Sequence, residues 1–326
     1  MPPMYPLQFQ PQFRRYLWGG RRLGTVLGKA IGCEEDYAES WEIVDHGADQ
    51  SIVRNGPWAG APLKTLVAEC GRELFGVHAP QNQFPLLLKF LDCHRNLSVQ
   101  VHPNDDQAAQ NEPPGRGKTE AWVILHADSD SWIYAGLKYP MDRAELATRI
   151  AAGETAACLH RFQPQVGDCV FIPAGTVHAL GAGLIVAEIQ QTSDTTYRLY
   201  DWDRLGPNGQ PRPLHPDQAL AVIDYQAGPV QPQRPDKATA NNAADVERLV
   251  TCEHFVLERR QLHQPTPLGH DGRFHLLVVL NGALKSNAPQ TPPRIAAGEV
   301  VLLPAHADAV EWQPQGKTTL LDIYLP

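Results

Sequence analysis

A chain of 326 residues is long enough for two domains and a large buried core, and 43% hydrophobic with 20% charged residues is the make-up of an ordinary soluble globular protein. The formal net charge of -8 argues against a general nucleic-acid or membrane-surface binder, while leaving room for a small anionic ligand held in a local basic pocket. Counts of 26 glycines and 29 prolines favour many short strands over long helices.

In chain order, residues 1–60 read as mostly irregular. Tyr16-Leu17-Trp18-Gly19-Gly20 suggests a compact aromatic-glycine turn, and Ala38 to Val44 alternates like a strand. Leu63, Leu66, Val67, Cys70 and Leu74 fall on one helical face, so an amphipathic helix is expected within about 61–77. Phe84 to Leu91 is a buried strand interrupted by Lys89; the usual role for such a lysine is to snorkel from the strand end, the other being to face a polar cavity. Further strands are expected at Glu120–Leu125, Ser131–Ala135, Cys169–Ile172 and Leu184–Ile189. Helices are expected at about 141–152 and 217–225. Gln226 to Ala244 is rich in Pro, Gln, Ala and Asn without apolar period and reads as a linker. Short strands then resume, as at Leu276–Leu280 and Val300–Leu303. The six cysteines form no CxxC pair, residues 1–15 lack the apolar stretch of a signal peptide, and no run approaches a membrane span. A cytoplasmic protein with reduced thiols is the expectation.

The stretch from Leu97 to Asp105 carries the first chemical signal. Alternation puts Ser98, Gln100 and His102 on one face and Leu97, Val99 and Val101 on the other. Gln100 and His102 therefore point the same way, close enough to hold one ion. Pro103 ends the strand and Asn104 can cap a short helical turn. Taken alone, this is equally a surface strand with a wet polar side.

A second signal is Gly167-Asp168-Cys169-Val170-Phe171-Ile172-Pro173-Ala174-Gly175-Thr176-Val177-His178. Gly167 turns the chain into a strand, Pro173 and Gly175 make the next turn, and His178 is delivered onto the following strand, facing inward. The spacing resembles the second signature motif of the cupin superfamily. It has an echo at Gly298-Glu299-Val300-Val301-Leu302-Leu303-Pro304-Ala305-His306, where Ala309 stands at the position of the metal-facing histidine. Upstream, Glu120 is echoed by His275. The chain thus reads as two cupin-type jelly-roll barrels, mainly β with a few short helices. Residues 1–235 would form the metal-binding domain and residues 236–326 a degenerate copy without ligands. His275 and His306 are read there as structural.

Gln100, His102, Glu120 and His178 are the candidate metal ligands: two imidazoles, one carboxylate and a neutral amide oxygen, brought together from three strands. A single carboxylate leaves a divalent ion such as zinc with net positive charge, so it stays an active Lewis acid. Around them lie Lys89, Lys118, Glu188, Asp194 and Arg198, a set suited to a phosphorylated, polyhydroxylated substrate on which protons are moved. Each cation taken singly is more often a surface ion pair.

At these residues the chain resembles the class I mannose-6-phosphate isomerases of the short bacterial type. The matching stretches are Tyr16 to Gly20, Glu39-Ser40-Trp41, Leu86 to Lys89, Ser98 to Asp105, Lys118-Thr119-Glu120, Gly167 to His178 and Glu188 to Arg204. Residues 205–326 resemble the family's second barrel only loosely. Ala182 stands where generic cupins carry an asparagine. The resemblance implies interconversion of D-mannose 6-phosphate and D-fructose 6-phosphate, with Gln100, His102, Glu120 and His178 binding one zinc ion. It also implies Arg198 as the catalytic arginine, with Lys118 and Glu188 in the same pocket. No nucleic acid, membrane or obligate protein partner is implied, and the length leaves no room for a fused nucleotidyltransferase.

Such an isomerisation needs a base that takes the C2 proton and returns it to C1 through a cis-enediol, and a group that moves protons between O1 and O2. Positive charge from zinc, Lys118 and Arg198 would stabilise the negative intermediate. Glu188 and Asp194 both fit the base. Phosphate would fall to some of Lys89, Lys118 and Arg198, with Ser98 as a neutral donor. Two other readings compete: a non-catalytic sugar-phosphate sensor, which the Lys118-Thr119-Glu120 motif and Arg198 oppose, and another metal cupin such as an oxygenase, which would favour a more histidine-rich iron site.

Overall fold

The strands predicted from period-two patterning are present in a computed structural model, which describes residues 2–206, 208–240 (236–240 as backbone) and 243–326. In chain order they are β1 (Gln12–Gly20), β2 (Tyr37–Ile43), the small hairpin β3 (Asp45–His46) and β4 (Asp49–Gln50), β5 (Leu86–Cys93), β6 (Val99–Val101), β7 (Glu120–Ala127), β8 (Ile133–Leu137), β9 (Leu159–Phe162), β10 (Cys169–Ile172), β11 (His178–Leu180), β12 (Leu184–Gln191) and β13 (Tyr197–Tyr200). The rest are β14 (Asp236–Ala240), β15 (Ala244–Thr251), β16 (Val256–Leu262), β17 (Thr266–Leu268), β18 (His275–Lys285), β19 (Arg294–Ala296), β20 (Val300–Leu303) and β21 (Val310–Tyr324). The helices are short: α1 (Arg22–Thr25), α2 (Leu63–Phe75), α3 (Asp105–Ala108), α4 (Arg143–Ala151) and α5 (Pro216–Val222). The fold is therefore mainly β, and no helix of the described residues is long and apolar enough to cross a membrane.

Two antiparallel sheets make the first unit, in the orders β1-β2-β5-β12-β7-β10 and β13-β6-β11-β8-β9. Side chains from both meet in one core of Trp18, Leu91, Trp122, Ile124, Ile133, Leu180 and Val186. The larger sheet is buried on its other face as well. There Leu86, Leu88, Phe90, Ala121, Val123, Ala187 and Ile189 join a core that also holds Phe255, Phe274, Leu276 and Leu321 from the C-terminal part. Burial on both sides explains the nearly continuous apolar run of β5. It also makes strand parity decisive, since alternate residues face either the second unit or the space between the two sheets.

The C-terminal strands repeat this topology. The order β1-β2-β5-β12-β7-β10 has its counterpart in β14-β15-β16-β21-β18-β20, the last strand pairing with β18. Register agrees at single-residue level: Glu120 pairs with Ile172 just before Pro173, and His275 with Leu303 just before Pro304. The architecture is compatible with the expected pair of jelly rolls. The halves share a core, and Leu7 exchanges two backbone hydrogen bonds of 2.8 Å with Leu302.

Several expectations need correction. Tyr16 to Gly20 is no turn but the end of β1, whose alternation is hidden by register shifts at Arg14/Arg15 and between Arg15 and Gly20. The supposed linker at 226–244 contains β14, a polar edge strand paired with β15; its Asn241 and Asn242 lie outside the described residues. The helix expected within 61–77 is α2, burying Leu63, Leu66, Val67, Cys70 and Leu74 as its periodicity requires. Asn104 caps α3 in a reciprocal capping box with Gln107.

Candidate metal centre and active site

The inner face of the larger sheet carries the chemistry. On β12, Ala187 and Ile189 point to the second unit, so Glu188 points between the sheets; the same parity on β7 turns Glu120 and Trp122 inward, and on β5 it turns Lys89 inward. The facing sheet answers with Gln100 on β6, His178 at the start of β11 and Arg198 on β13. Cross-strand pairing sets Gln100 directly between His178 and Arg198. Gly175 makes the turn that delivers His178. It takes φ +85°, its N–H donates to the His102 carbonyl at 2.8 Å, and a Cβ there would lie 3.1 Å from Asp224.

His102, Glu120 and His178 are buried and converge, with their candidate ligand atoms within 4.8 Å of one another. His178 Nε2 lies 3.3 Å from Glu120 Oε1, and His102 Nε2 lies 3.7 Å from Glu120 Oε2. Each imidazole is fixed from behind: His102 Nδ1 donates to the Thr195 carbonyl at 2.8 Å and His178 Nδ1 to the Thr176 carbonyl at 2.9 Å. A carbonyl only accepts, so the proton sits on Nδ1 and the Nε2 lone pair faces the cluster, as a metal ligand requires. Burial lowers both histidine pKa values, that of His178 to about 4, and for His102 Lys118 adds to the effect. Both rings are neutral at pH 7.

Glu120 is the misfit that argues for an ion. It is completely buried and neither carboxylate oxygen accepts a properly aligned hydrogen bond, although the Lys118 ammonium stands 2.8 Å from Oε2. Desolvation pushes its carboxyl well up despite that lysine. A buried carboxylate with two unfilled acceptors, facing two neutral imidazoles, fits a divalent cation. Gln100 Nε2 is 3.3 Å from His178 Nε2. A half-turn of the amide would present Oε1 at the same position instead.

A line of alternating charge leads away from this cluster. Lys118 Nζ is 3.6 Å from Glu188 Oε1, Glu188 Oε2 is 3.9 Å from Lys89 Nζ, and Lys89 Nζ is 3.5 Å from Glu39 Oε2. Burial raises the Glu188 carboxyl pKa, but Lys118 and Lys89 outweigh it and hold it below the usual carboxylate range. Lys89 is thus no snorkelling residue: it is buried, facing the cavity, because the outer face of β5 belongs to the shared core. Stripped of partners, each such buried ion would cost several kcal/mol.

Ser98, Gln100, Lys118, Glu120, His178, Glu188, Asp194, Arg198 and Lys89 all line one cavity of about 320 Å³; His102 closes the metal cluster beside it. Asp194 is exposed at its mouth. The Arg198 guanidinium donates to Ser98 Oγ (3.1 Å) and to the Pro213 carbonyl (2.9 Å), and no carboxylate pairs with it among the described residues. Burial and the neighbouring Arg212 lower its pKa. Sequence reasoning assigned no role to four further lining residues, Tyr16, Trp18, Glu39 and Arg212. The first three lay in stretches already noted as similar to the isomerase family, while Arg212 carried no signal and arrives through a bidentate pair with Asp201 at 2.7 and 2.6 Å.

Comparison with known proteins agrees with this geometry. The family profile "Phosphomannose isomerase type I, catalytic domain" matches residues 6–115. The chain is 36% identical over 303 residues to mannose-6-phosphate isomerase ManA of Bacillus subtilis, covering 92% of this chain and 93% of that protein. It is 34% identical to the mannose-6-phosphate isomerase of Streptococcus mutans, covering 97% of each. The crystal structure of the mannose 6-phosphate isomerase from Bacillus subtilis superposes with a TM-score of 0.89 at 31% identity, covering 99% of this chain and 100% of that one. Similarity of this extent, in sequence and in fold, places the chain in the type I mannose-6-phosphate isomerase family of aldose–ketose isomerases.

Proposed function

We propose that this chain interconverts D-mannose 6-phosphate and D-fructose 6-phosphate through a cis-enediol, with one zinc ion held by Gln100, His102, Glu120 and His178. The observation that carries this reading is one cavity in which two neutral histidines and the buried Glu120 carboxylate, 2.8 Å from Lys118, adjoin Glu188 between its two lysines and an Arg198 guanidinium with no carboxylate partner among the described residues. When bound, zinc supplies positive charge that stabilises an oxyanion developing on the sugar. Arg198 and Ser98 bind the phosphate, because Lys89 and Lys118 are already committed to carboxylates. In the forward direction the C2–H bond breaks, its proton passes to a carboxylate and a C1=C2 double bond forms. Lys118 moves a proton from O2 to O1, and the carboxylate returns its proton to C1.

Burial between two lysines supports Glu188 over exposed Asp194 as that carboxylate. Solvent deuterium exchange at C2 tests the choice: Glu188→Gln should lose exchange and Asp194→Asn should keep it, and the opposite pattern would reassign the base. Residues 1–235 are proposed as the catalytic unit and 236–326 as a degenerate barrel. In the latter His275 cannot serve as a ligand, since Asp322 and Asp271 take its two ring nitrogens at 2.7 and 3.1 Å. The six free cysteines support a cytoplasmic, reducing setting.

A further inference from the structure

Four side chains stand in a row across the inner face of the larger sheet. Cross-strand register places Trp41 beside Lys89, Lys89 beside Glu188, and Glu188 beside Trp122. Each end of the row holds a carboxylate through an indole N–H: Trp122 Nε1 donates to Glu188 Oε1 at 3.4 Å, and Trp41 Nε1 donates to Glu39 Oε2 at 2.5 Å. Between the two carboxylates the Lys89 ammonium lies 3.5 Å from Glu39 and 3.9 Å from Glu188, and 4.8 Å from the centre of the Trp41 ring. Lys89 is therefore nearer the carboxylate outside the proposed proton path than the one within it.

From this we infer that Glu39 is a positioning residue for the isomerisation, a counter-anion that holds Lys89 off Glu188 so that Glu188 stays free to meet C2. The inference rests on Glu188 being the base. Trp41 fixes Glu39, and its ring gives the lysine a second surface of attraction on the same side. Remove the Glu39 charge and Lys89 is left with one carboxylate partner. Its four-carbon stem is flexible enough to swing across and close a tight pair with Glu188. Glu188 would then be drawn along the sheet, away from Lys118, by a displacement of the size that degrades proton transfer.

The test compares Glu39→Gln, Glu39→Asp, Lys89→Met and the Glu39→Gln/Lys89→Met double variant by steady-state kinetics and C2 deuterium exchange, with zinc content and Tm as folding controls. Glu39→Gln should lower kcat about 10- to 100-fold, from misplacement of the reacting group, with KM moved less than about twofold. Glu39→Asp, which keeps the charge, should recover part of the loss. The double variant should be no slower than Lys89→Met alone, because Glu39 acts through Lys89. A rise in KM at unchanged kcat, multiplicative losses in the double variant, or unchanged kinetics would each overturn the inference. Retained exchange in Glu188→Gln would instead sink the base assignment, so the two failures are distinguishable.

Discussion

At the residue scale, the site was legible wherever a candidate ligand sat within a short, fixed spacing. Gln100 and His102 share a strand face two residues apart, and His178 follows from the Gly-Pro-Gly spacing, so parity and turn chemistry suffice. The strand pattern alone left Lys89 open between snorkelling and facing a cavity, because a strand buried on both faces gives no polar-apolar alternation from which to tell which side is the cavity. The arginine at 198 is the sharpest residue-level prediction. It is the one cation of the three proposed for phosphate that has no carboxylate partner among the described residues. Losing its charge-assisted bonds in Arg198→Ala should lower kcat/KM for mannose 6-phosphate by about 10- to 100-fold. Turnover at the unaltered rate would remove Arg198 from the site.

At the element scale, strands with clear alternation were legible and those shaped by pairing were not. β1 is broken by bulges and β14 is a polar edge strand, and each owes its existence to a neighbour far along the chain. Glu39 and Trp41 could be noted in sequence, but their use depends on the β2–β5 register that sets Trp41 beside Lys89. The β10–β11 turn offers a test of how the histidine is delivered. Gly175 takes φ +85° in contact with Asp224, so Gly175→Ala should cost about 1–3 kcal/mol of stability, measured by urea unfolding. It should also weaken metal retention, because the same residue donates to the His102 carbonyl. Wild-type stability and zinc content in this variant would show the turn to be incidental.

Across the whole molecule, the two halves carry one topology with opposite contents. At the position of Glu120 stands His275; at those of Glu188 and Lys89 stand Asp322 and Glu258. Arg260 lies 2.9 Å from Asp322 and 2.8 Å from Glu258, and Arg248 2.7 Å from Glu258, so the copy closes on itself as an ion network. The sequence showed His275 and Ala309 in place of two candidate ligands but not the compensating arginines, Arg260 on β16 and Arg248 on β15. Burial opposes protonation of His275, yet Asp322 and Asp271 prevail and raise its pKa. A raised folded-state pKa stabilises fully below the unfolded histidine value of ~6.5, and the contribution is lost as pH rises through the elevated one. The wild type should therefore lose stability across that window relative to His275→Gln, whose pH profile lacks this component. Parallel profiles of Tm against pH would show that His275 stays neutral.

Turnover and metal content followed together test the central claim that a single zinc ion on Gln100, His102, Glu120 and His178 serves aldose–ketose isomerisation. Chelation should abolish conversion of mannose 6-phosphate to fructose 6-phosphate, and one equivalent of zinc per chain should restore it. His178→Ala, lacking a ligand, should neither bind that equivalent nor recover. Full turnover by protein shown to be metal-free, or no turnover by protein shown to carry one zinc per chain, would contradict the account.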